Sequence, residues 1–315
     1  MKSYYRAVGL AVLCGLFGKS RQAYYEQLWH EEKALFEDAV IVDLVREERR
    51  IARRVGGRNL YQILKPELNA RQVHVGRDRF FDVLRRNGLL VKRRRRRAVT
   101  TMSRHGLPLY PNLAKALPVV RPGQLWVSDI TYVRVGDGFC YLILITDAYS
   151  HQVVGWNFGS SMDAAFCLEA LKMALAHRPA ALGHGTEGEL VHHSDRGLQY
   201  CSKLYTDMLR GESIAISMTE NGDPLENAVA ERMNGILKDS FELDRTFPSF
   251  EEARQFILEA TDYYNGRRPH SSCDKLTPKE ASARTGVLKR HWRSFAEKAL
   301  AKAEKEAAAN SAPAT

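Results

Sequence analysis

The chain has 315 residues, 44% of them hydrophobic, which suffices for one sizeable packed domain and a smaller one, and excludes a disordered chain. A net charge of +10 and a pI near 9.4 point to a polyanionic partner, nucleic acid or an anionic surface. The charge is uneven: residues 1–110 hold 24 Lys/Arg against 11 Asp/Glu, which leaves that stretch at +13 and the remainder at −3, a basic arm ahead of a carboxylate-using body.

Residues 1–30 read as a short helical segment. Val8 to Leu16 is apolar, Gly18-Lys19-Ser20 breaks it, and Ser20 suits the N-cap of a restart at Arg21. The apolar stretch is too short for a membrane span, and no run in the chain reaches about 18 apolar residues, so no membrane partner is expected. Residues 38–97 form the next unit. Ile41, Leu44, Val45 and Ile51 share a helical face that Gly56-Gly57 ends; Leu60, Ile63 and Leu64 make a second helix, stopped by Pro66. A third follows Gly76, with Phe80, Phe81 and Leu84 inward and Asn87-Gly88 as C-cap. Three short helices, the last carrying Arg77, Arg79, Arg85 and Arg86, suit an all-α helix-turn-helix DNA binder, and a plain bundle with a solvated basic face is the alternative. The basic run Lys92, Arg93, Arg94, Arg95, Arg96 and Arg97 then suits a phosphate backbone, adding affinity without sequence choice. Residues 98–118, with Gly106, Pro108, Pro111 and Pro118, read as a linker.

From 119 the pattern alternates. Trp126 to Val133 is a strand, Gly136-Asp137-Gly138 a turn, Phe139 to Ile145 a second strand and His151 to Phe158 a third, an antiparallel meander. A helix capped near Ser160 or Ser161 follows, then a strand at Leu190 to His193, a helix from Ser202, a strand at Ile214 to Met218, a helix from Pro224 and another over about Phe250 to Tyr264. That order fits an α/β, RNase H-like mixed sheet flanked by helices over residues 119–285, followed by a helical, partly disordered tail at 286–315. The five cysteines (Cys14, Cys140, Cys167, Cys201 and Cys273) form no C-x-x-C pair, which argues against a zinc site or disulfides and fits a reducing cytoplasm.

Three carboxylates stand out by setting. Asp129 sits inside the first strand, where a carboxylate is costly unless paired or metal-bound. Asp195 ends the fourth strand beside Gly197, where open α/β sheets place functional groups. Glu231 lies in the helix after Pro224, with Asp223 and Glu226 as a capping pair and with Asn227, Asn234, Gly235 and Lys238 on its own small, polar face. Three carboxylates suit two hard cations roughly 4 Å apart that clamp the attacking and leaving oxygens of a phosphoryl displacement.

The chain from about 38 to 285 resembles the OrfB-type transposases of the insertion-sequence-3 family, within the retroviral-integrase superfamily. Trp126-Val127-Ser128-Asp129-Ile130-Thr131-Tyr132, Thr146-Asp147-Ala148-Tyr149-Ser150-His151 and His193-Ser194-Asp195-Arg196-Gly197-Leu198-Gln199-Tyr200 carry the likeness. So do Glu231-Arg232-Met233-Asn234-Gly235-Ile236-Leu237-Lys238 and Tyr263-Tyr264-Asn265 with Arg267-Arg268-Pro269-His270, and 35 residues separate Asp195 from Glu231. The resemblance implies an integrase catalytic core that binds two Mg²⁺, with Mn²⁺ substituting, and cleaves insertion-sequence ends. Water and then the freed 3′-hydroxyl serve as nucleophiles. It further implies Asp129, Asp195 and Glu231 as metal ligands and Asn234 and Lys238 as DNA contacts; Asp147 also recurs in the family motif, but at the end of the second strand it reads as a turn former or as a support for the ligands. Double-stranded DNA, further copies of the chain and a first-frame transposase protein are the partners it implies. A transposase-derived DNA-binding protein without catalysis is the competing reading.

Overall fold

The computed structural model describes residues 8–92, 107–115, 117–178, 189–220 and 224–292, with backbone alone at 224 and 225. They fall into two units: the described residues up to Arg50 with Gly56–Lys92, and Ile51–Val55 with the rest.

In the first unit α1 spans Leu10–Leu16, and Ser20 caps α2 by accepting the Ala23 N–H at 3.0 Å. The helix does not stop near residue 30. It runs Arg21–Glu48, because no Gly or Pro interrupts that stretch, and so joins the segments expected at 1–30 and from 38. Helix α3, Gly57–Ala70, likewise continues through Pro66, where a stop was expected. A proline inside a helix costs about 3 kcal/mol. Leu60, Leu64 and Leu68, one turn apart and all buried, offset it at roughly 1.5–3 kcal/mol each. Helix α4, Arg77–Arg86, buries Phe80, Val83 and Leu84, leaves Phe81 partly buried, and ends at Asn87 with Gly88 left-handed at φ 66°.

The second unit is built on β1 (Leu125–Val135), β2 (Gly138–Asp147) and β3 (Val153–Gly159), an antiparallel meander, with β4 (Val191–Ser194) and β5 (Ala215–Met218) parallel to β1. The strand order is β3-β2-β1-β4-β5, an RNase H-like mixed sheet. A two-residue β6, Thr246–Phe247, also pairs with β1 and is too short for any alternation to reveal. Helices α5 (Ala164–Ala176), α6 (Leu198–Cys201) and α7 (Lys203–Gly211) cover one face through Trp126, Ile143 and Ile145. Helix α8 (Ala228–Phe241) covers the other, where Val127 and Ala230 meet. Adjacent strand residues thus serve opposite cores. Helices α9 (Phe250–Arg267) and α10 (Pro278–Ala281) complete the unit.

Two local expectations shift. The cap of α5 is Asp163, which accepts the Phe166 N–H at 2.7 Å, while Ser161 only donates to Asp163. The end of the expected linker packs on the sheet: Leu113 N–H donates to Ser217 Oγ at 2.9 Å, and Tyr110 and Leu117 join apolar clusters.

Strand β3 can lie against α5 because residue 155 is glycine: a Cβ there would stand 2.2 Å from the Ala170 carbonyl oxygen. Gly155→Ala should therefore force the helix off the sheet and destabilise the unit by about 3 kcal/mol or more. Equilibrium urea unfolding measures this, and an unchanged midpoint would contradict the close packing.

Candidate active site

Pairing of β1 with β4 sets the site. The parallel ladder runs through Val127↔His193, and two residues further along each strand, on the same α8-facing side, stand Asp129 and Asp195. Ser128, facing the other way, meets the Tyr200 hydroxyl at 2.9 Å and anchors β1 beneath Asp129. His193 braces β4: its Nδ1 lies 2.8 Å from Ser217 Oγ and its Nε2 3.0 Å from the Glu226 carbonyl. Asp195 accepts the Gly197 N–H at 3.0 Å, and a Cβ at 197 would come equally near that carboxylate, so glycine lets the backbone turn over it.

The third carboxylate comes from α8, which starts later than its sequence suggested. Pro224–Asn227 forms a 3₁₀ turn, and α8 proper begins at Ala228 with Glu231 in its first turn. The Glu226 carboxylate accepts the Glu220 N–H at 2.6 Å, and Asp223, its expected capping partner, lies outside the described residues. Asn227 leaves the polar face of the helix and donates to the Ser128 carbonyl at 3.1 Å, tying the start of α8 to β1. Asn234, expected to contact DNA, is buried and donates to Asp129 Oδ2 at 2.7 Å, while the Ile130 N–H donates to Oδ1 at 2.9 Å. Glu231 is exposed.

Electrostatics join these residues. Burial first, then repulsion from Asp195 and, less, from Glu231 push the Asp129 carboxyl up to about 7, against the hydrogen bonds from Asn234 and Ile130. Lys238, one turn further along α8, is partly buried; burial lowers its ammonium while Asp129 and Asp244 hold it up. Asp129, Asp195, Glu231, Asn234 and Lys238 therefore form one cluster. Among the described residues no three carboxylates each bring an oxygen within 4.8 Å of the other two. An all-oxygen donor set suits a hard divalent cation.

Other candidates are used elsewhere. Asp147 forms a turn, accepting from Ser150 N–H, Ser150 Oγ and Gly123 N–H at 2.7–2.8 Å. His192 pairs with the Tyr205 hydroxyl at 3.0 Å on the α5 face. The α4 arginines all face carboxylates of their own unit: Arg79 meets Glu37 at 2.7 Å and Asp38 at 3.6 Å, Arg86 meets Asp38 at 2.8 Å, Arg77 meets Asp78, and Arg85 meets Asp82. Lys92 ends that unit, and Arg93, Arg94, Arg95, Arg96 and Arg97 lie outside the described residues. The bracing pairs Ser128–Tyr200 and His193–Ser217 went unread in the sequence, since their partners are 72 and 24 residues apart. At the β2–β3 turn, burial and the charges of Arg232 and Arg268 hold His151 at about 4; burial, His151 and the same arginines hold His270 at about 2.

Comparison with known proteins bears on this arrangement. Residues 119–224 match the family described as Integrase core domain, and residues 212–278 match a second family of the same description. Over 271 residues the chain is 32% identical to the insertion element IS600 uncharacterized 31 kDa protein of Shigella sonnei, covering 84% of this chain and 96% of that protein. It is 36% identical over 195 residues to the transposase for insertion sequence element IS629 of Shigella sonnei, covering 62% of this chain and 63% of that one. With transposase InsF for insertion sequence IS3A of Escherichia coli it shares 34% over 199 residues, 62% of this chain and 67% of that one. The chain thus spans nearly all of the first relative and about two thirds of the other two.

The raised Asp129 carboxyl has a sign that can be tested. Without divalent cations the folded state binds a proton more tightly than the unfolded chain, so stability falls as pH rises from about 4 through about 7. Asp129→Asn should remove that fall and stabilise the metal-free protein above pH 7 by up to roughly 4 kcal/mol. Chemical denaturation in chelator across this range checks it; parallel pH profiles for the two proteins would contradict it.

Proposed function

The chain belongs to the insertion-sequence-3 family of transposases, with an integrase core domain, and from that premise we propose that it cleaves the ends of an insertion sequence and joins their 3′-hydroxyls to DNA. The observation that carries this reading is the strain at Asp129, whose carboxyl is raised to about 7 by burial and by Asp195 and Glu231. A protein that only bound DNA would gain nothing by gathering these groups. One that positions cations needs them together.

Asp129, Asp195 and Glu231 would hold two Mg²⁺ ions. When bound, the pair supplies charge neutralisation and a clamp for the oxygens that attack and leave the phosphorus. The chain's own residues set the geometry. Asn234 holds the Asp129 carboxylate in one orientation through its 2.7 Å bond, and Gly197 does the same for Asp195 at 3.0 Å. Glu231, on an exposed helical turn, can approach from the substrate side. Lys238, seven residues along the helix from Glu231, offers a cation to a neighbouring phosphate.

The first unit is read as the arm that grips DNA. Arg77, Arg79, Arg85 and Arg86 already face carboxylates, so phosphate contacts there compete with existing ion pairs. The run from Lys92 to Arg97 then carries the larger share of non-specific affinity.

Glu231→Gln should abolish cleavage and joining of labelled insertion-sequence ends in Mg²⁺ while leaving DNA binding within about twofold, since an exposed side chain of equal size replaces it and only one negative charge is lost. Joining retained by that variant would overturn the assignment. Replacing Lys92–Arg97 with glutamine should weaken binding to all sequences alike and flatten the salt dependence by about 0.9 per lost phosphate contact. Fluorescence anisotropy at several salt concentrations reads this; a changed base preference with an unaltered slope would contradict it.

A further inference from the structure

The turn between β2 and β3 meets the segment after α9 at three side chains with metal-ligand chemistry. His151 follows the Asp147 turn in a left-handed conformation, φ 59°, which costs on the order of 1 kcal/mol for a residue with a Cβ. Its backbone is fixed there: its N–H donates to the Asp147 carbonyl at 2.8 Å, and its carbonyl accepts from the Tyr264 hydroxyl at 3.0 Å. His270 and Cys273, both buried, face it from a turn closed by the Cys273 N–H on the His270 carbonyl at 3.1 Å. The two imidazoles stack with centroids 4.3 Å apart, and Cys273 Sγ lies 3.5 Å from the Ser150 carbonyl and 3.6 Å from that of Tyr149.

One donor atom from each of His151, His270 and Cys273 lies within 4.8 Å of the other two, the one such group of three among the described residues. A second observation points the same way. His151 Nδ1 is buried and has no hydrogen-bond partner, a vacancy worth about 1–3 kcal/mol. Packing alone explains the stack but not a strained backbone that brings a histidine with a buried, unpaired nitrogen to a second histidine and a thiol.

We propose that His151, His270 and Cys273 bind one thiophilic divalent cation of the Zn²⁺ class, at a site separate from the carboxylates of Asp129, Asp195 and Glu231. Two imidazoles and a thiolate are a borderline-soft donor set that prefers such ions to Mg²⁺, and three protein ligands leave a fourth position for water. On binding, each imidazole donates a lone pair, the Cys273 thiol releases its proton to solvent, and nothing is oxidised or reduced. The rings now lie 15° from parallel, so one imidazole must turn about its Cβ–Cγ bond for the lone pairs to converge, a soft rotation. The bound ion would pin the β2–β3 turn to the chain that follows α9. Spacing could not disclose this site, since 118 residues separate His151 from His270.

Titration of the full chain with Co²⁺ in excess Mg²⁺ tests the proposal. A thiolate-to-cobalt charge-transfer band should grow to one equivalent and vanish when Zn²⁺ is added, a signal the carboxylate cluster cannot produce because it holds no sulfur. Cys273→Val should lose the band, and His151→Asn, which tolerates the left-handed backbone, should weaken Co²⁺ binding at least roughly tenfold. Circular dichroism reports whether each variant folds; if Cys273→Val does not, the His151→Asn arm decides. No band in the parent chain, a band that survives in folded Cys273→Val, or unchanged affinity in His151→Asn would each overturn the site.

Discussion

Repulsion between the carboxylates of Asp129 and Asp195, set side by side by the parallel pairing of β1 and β4, is the constraint around which the second unit is arranged. A carboxylate in the middle of a central strand is disfavoured by burial before any neighbour is counted. Adding a second carboxylate on the next strand and a third on α8 deepens the penalty. The raised Asp129 carboxyl corresponds to roughly 4 kcal/mol, a large share of the 5–15 kcal/mol that holds a typical domain folded. The sheet bears this load by bracing its backbone on both faces. Ser128 is locked to Tyr200 beneath, Asn227 ties α8 to the Ser128 carbonyl above, and His193 bridges β4, β5 and the turn before α8. Those bonds hold in place groups that would otherwise drift apart, which is the preorganisation that the proposed phosphoryl transfer requires.

Charge is used differently in the first unit. Its arginines Arg79 and Arg86 stitch α4 to α2 through Glu37 and Asp38, so these cations already have partners within the fold, while the net excess over residues 1–110 counts charges beyond such pairs. The carboxylates of Glu37 and Asp38 are largely shielded while the guanidinium groups of Arg79 and Arg86 remain partly exposed, so a phosphate can still reach the arginine side of each pair. The family to which the chain belongs acts on DNA, and a basic unit joined to a carboxylate-bearing one matches the two demands of that work, grip and chemistry.

Much of this was legible in the sequence where a short-range rule controls structure. Period-two alternation located β1 to β5, and Ser20 and Asn87-Gly88 marked real helix ends. The rule failed where tertiary contacts outweighed it. Pro66 did not stop α3 because three buried leucines on one stripe held the helix, and α2 crossed its expected gap because nothing in the chain interrupts it. At the site, the positions of Asp129, Asp195 and Glu231 could be read from setting and family blocks. The role of Asn234 could not: helical periodicity put it on the face of Glu231, but only the fold shows its amide turned onto Asp129 rather than toward solvent. Asn227 was misplaced for a related reason, since a 3₁₀ turn changes the angular step per residue and rotates it off the helical face. His151, His270 and Cys273 were invisible because their meeting depends on two turns distant in sequence.

The central claim is that these carboxylates form one strained site that divalent cations relieve. Its most direct measurement is the titration of the Asp129 carboxyl carbon by NMR in a selectively labelled chain, with Asp129→Asn for assignment, in chelator and in Mg²⁺. The account predicts a midpoint near 7 in chelator that collapses toward the ordinary carboxylate range when Mg²⁺ is added. A midpoint near 3.8 in chelator, unmoved by Mg²⁺, would contradict it.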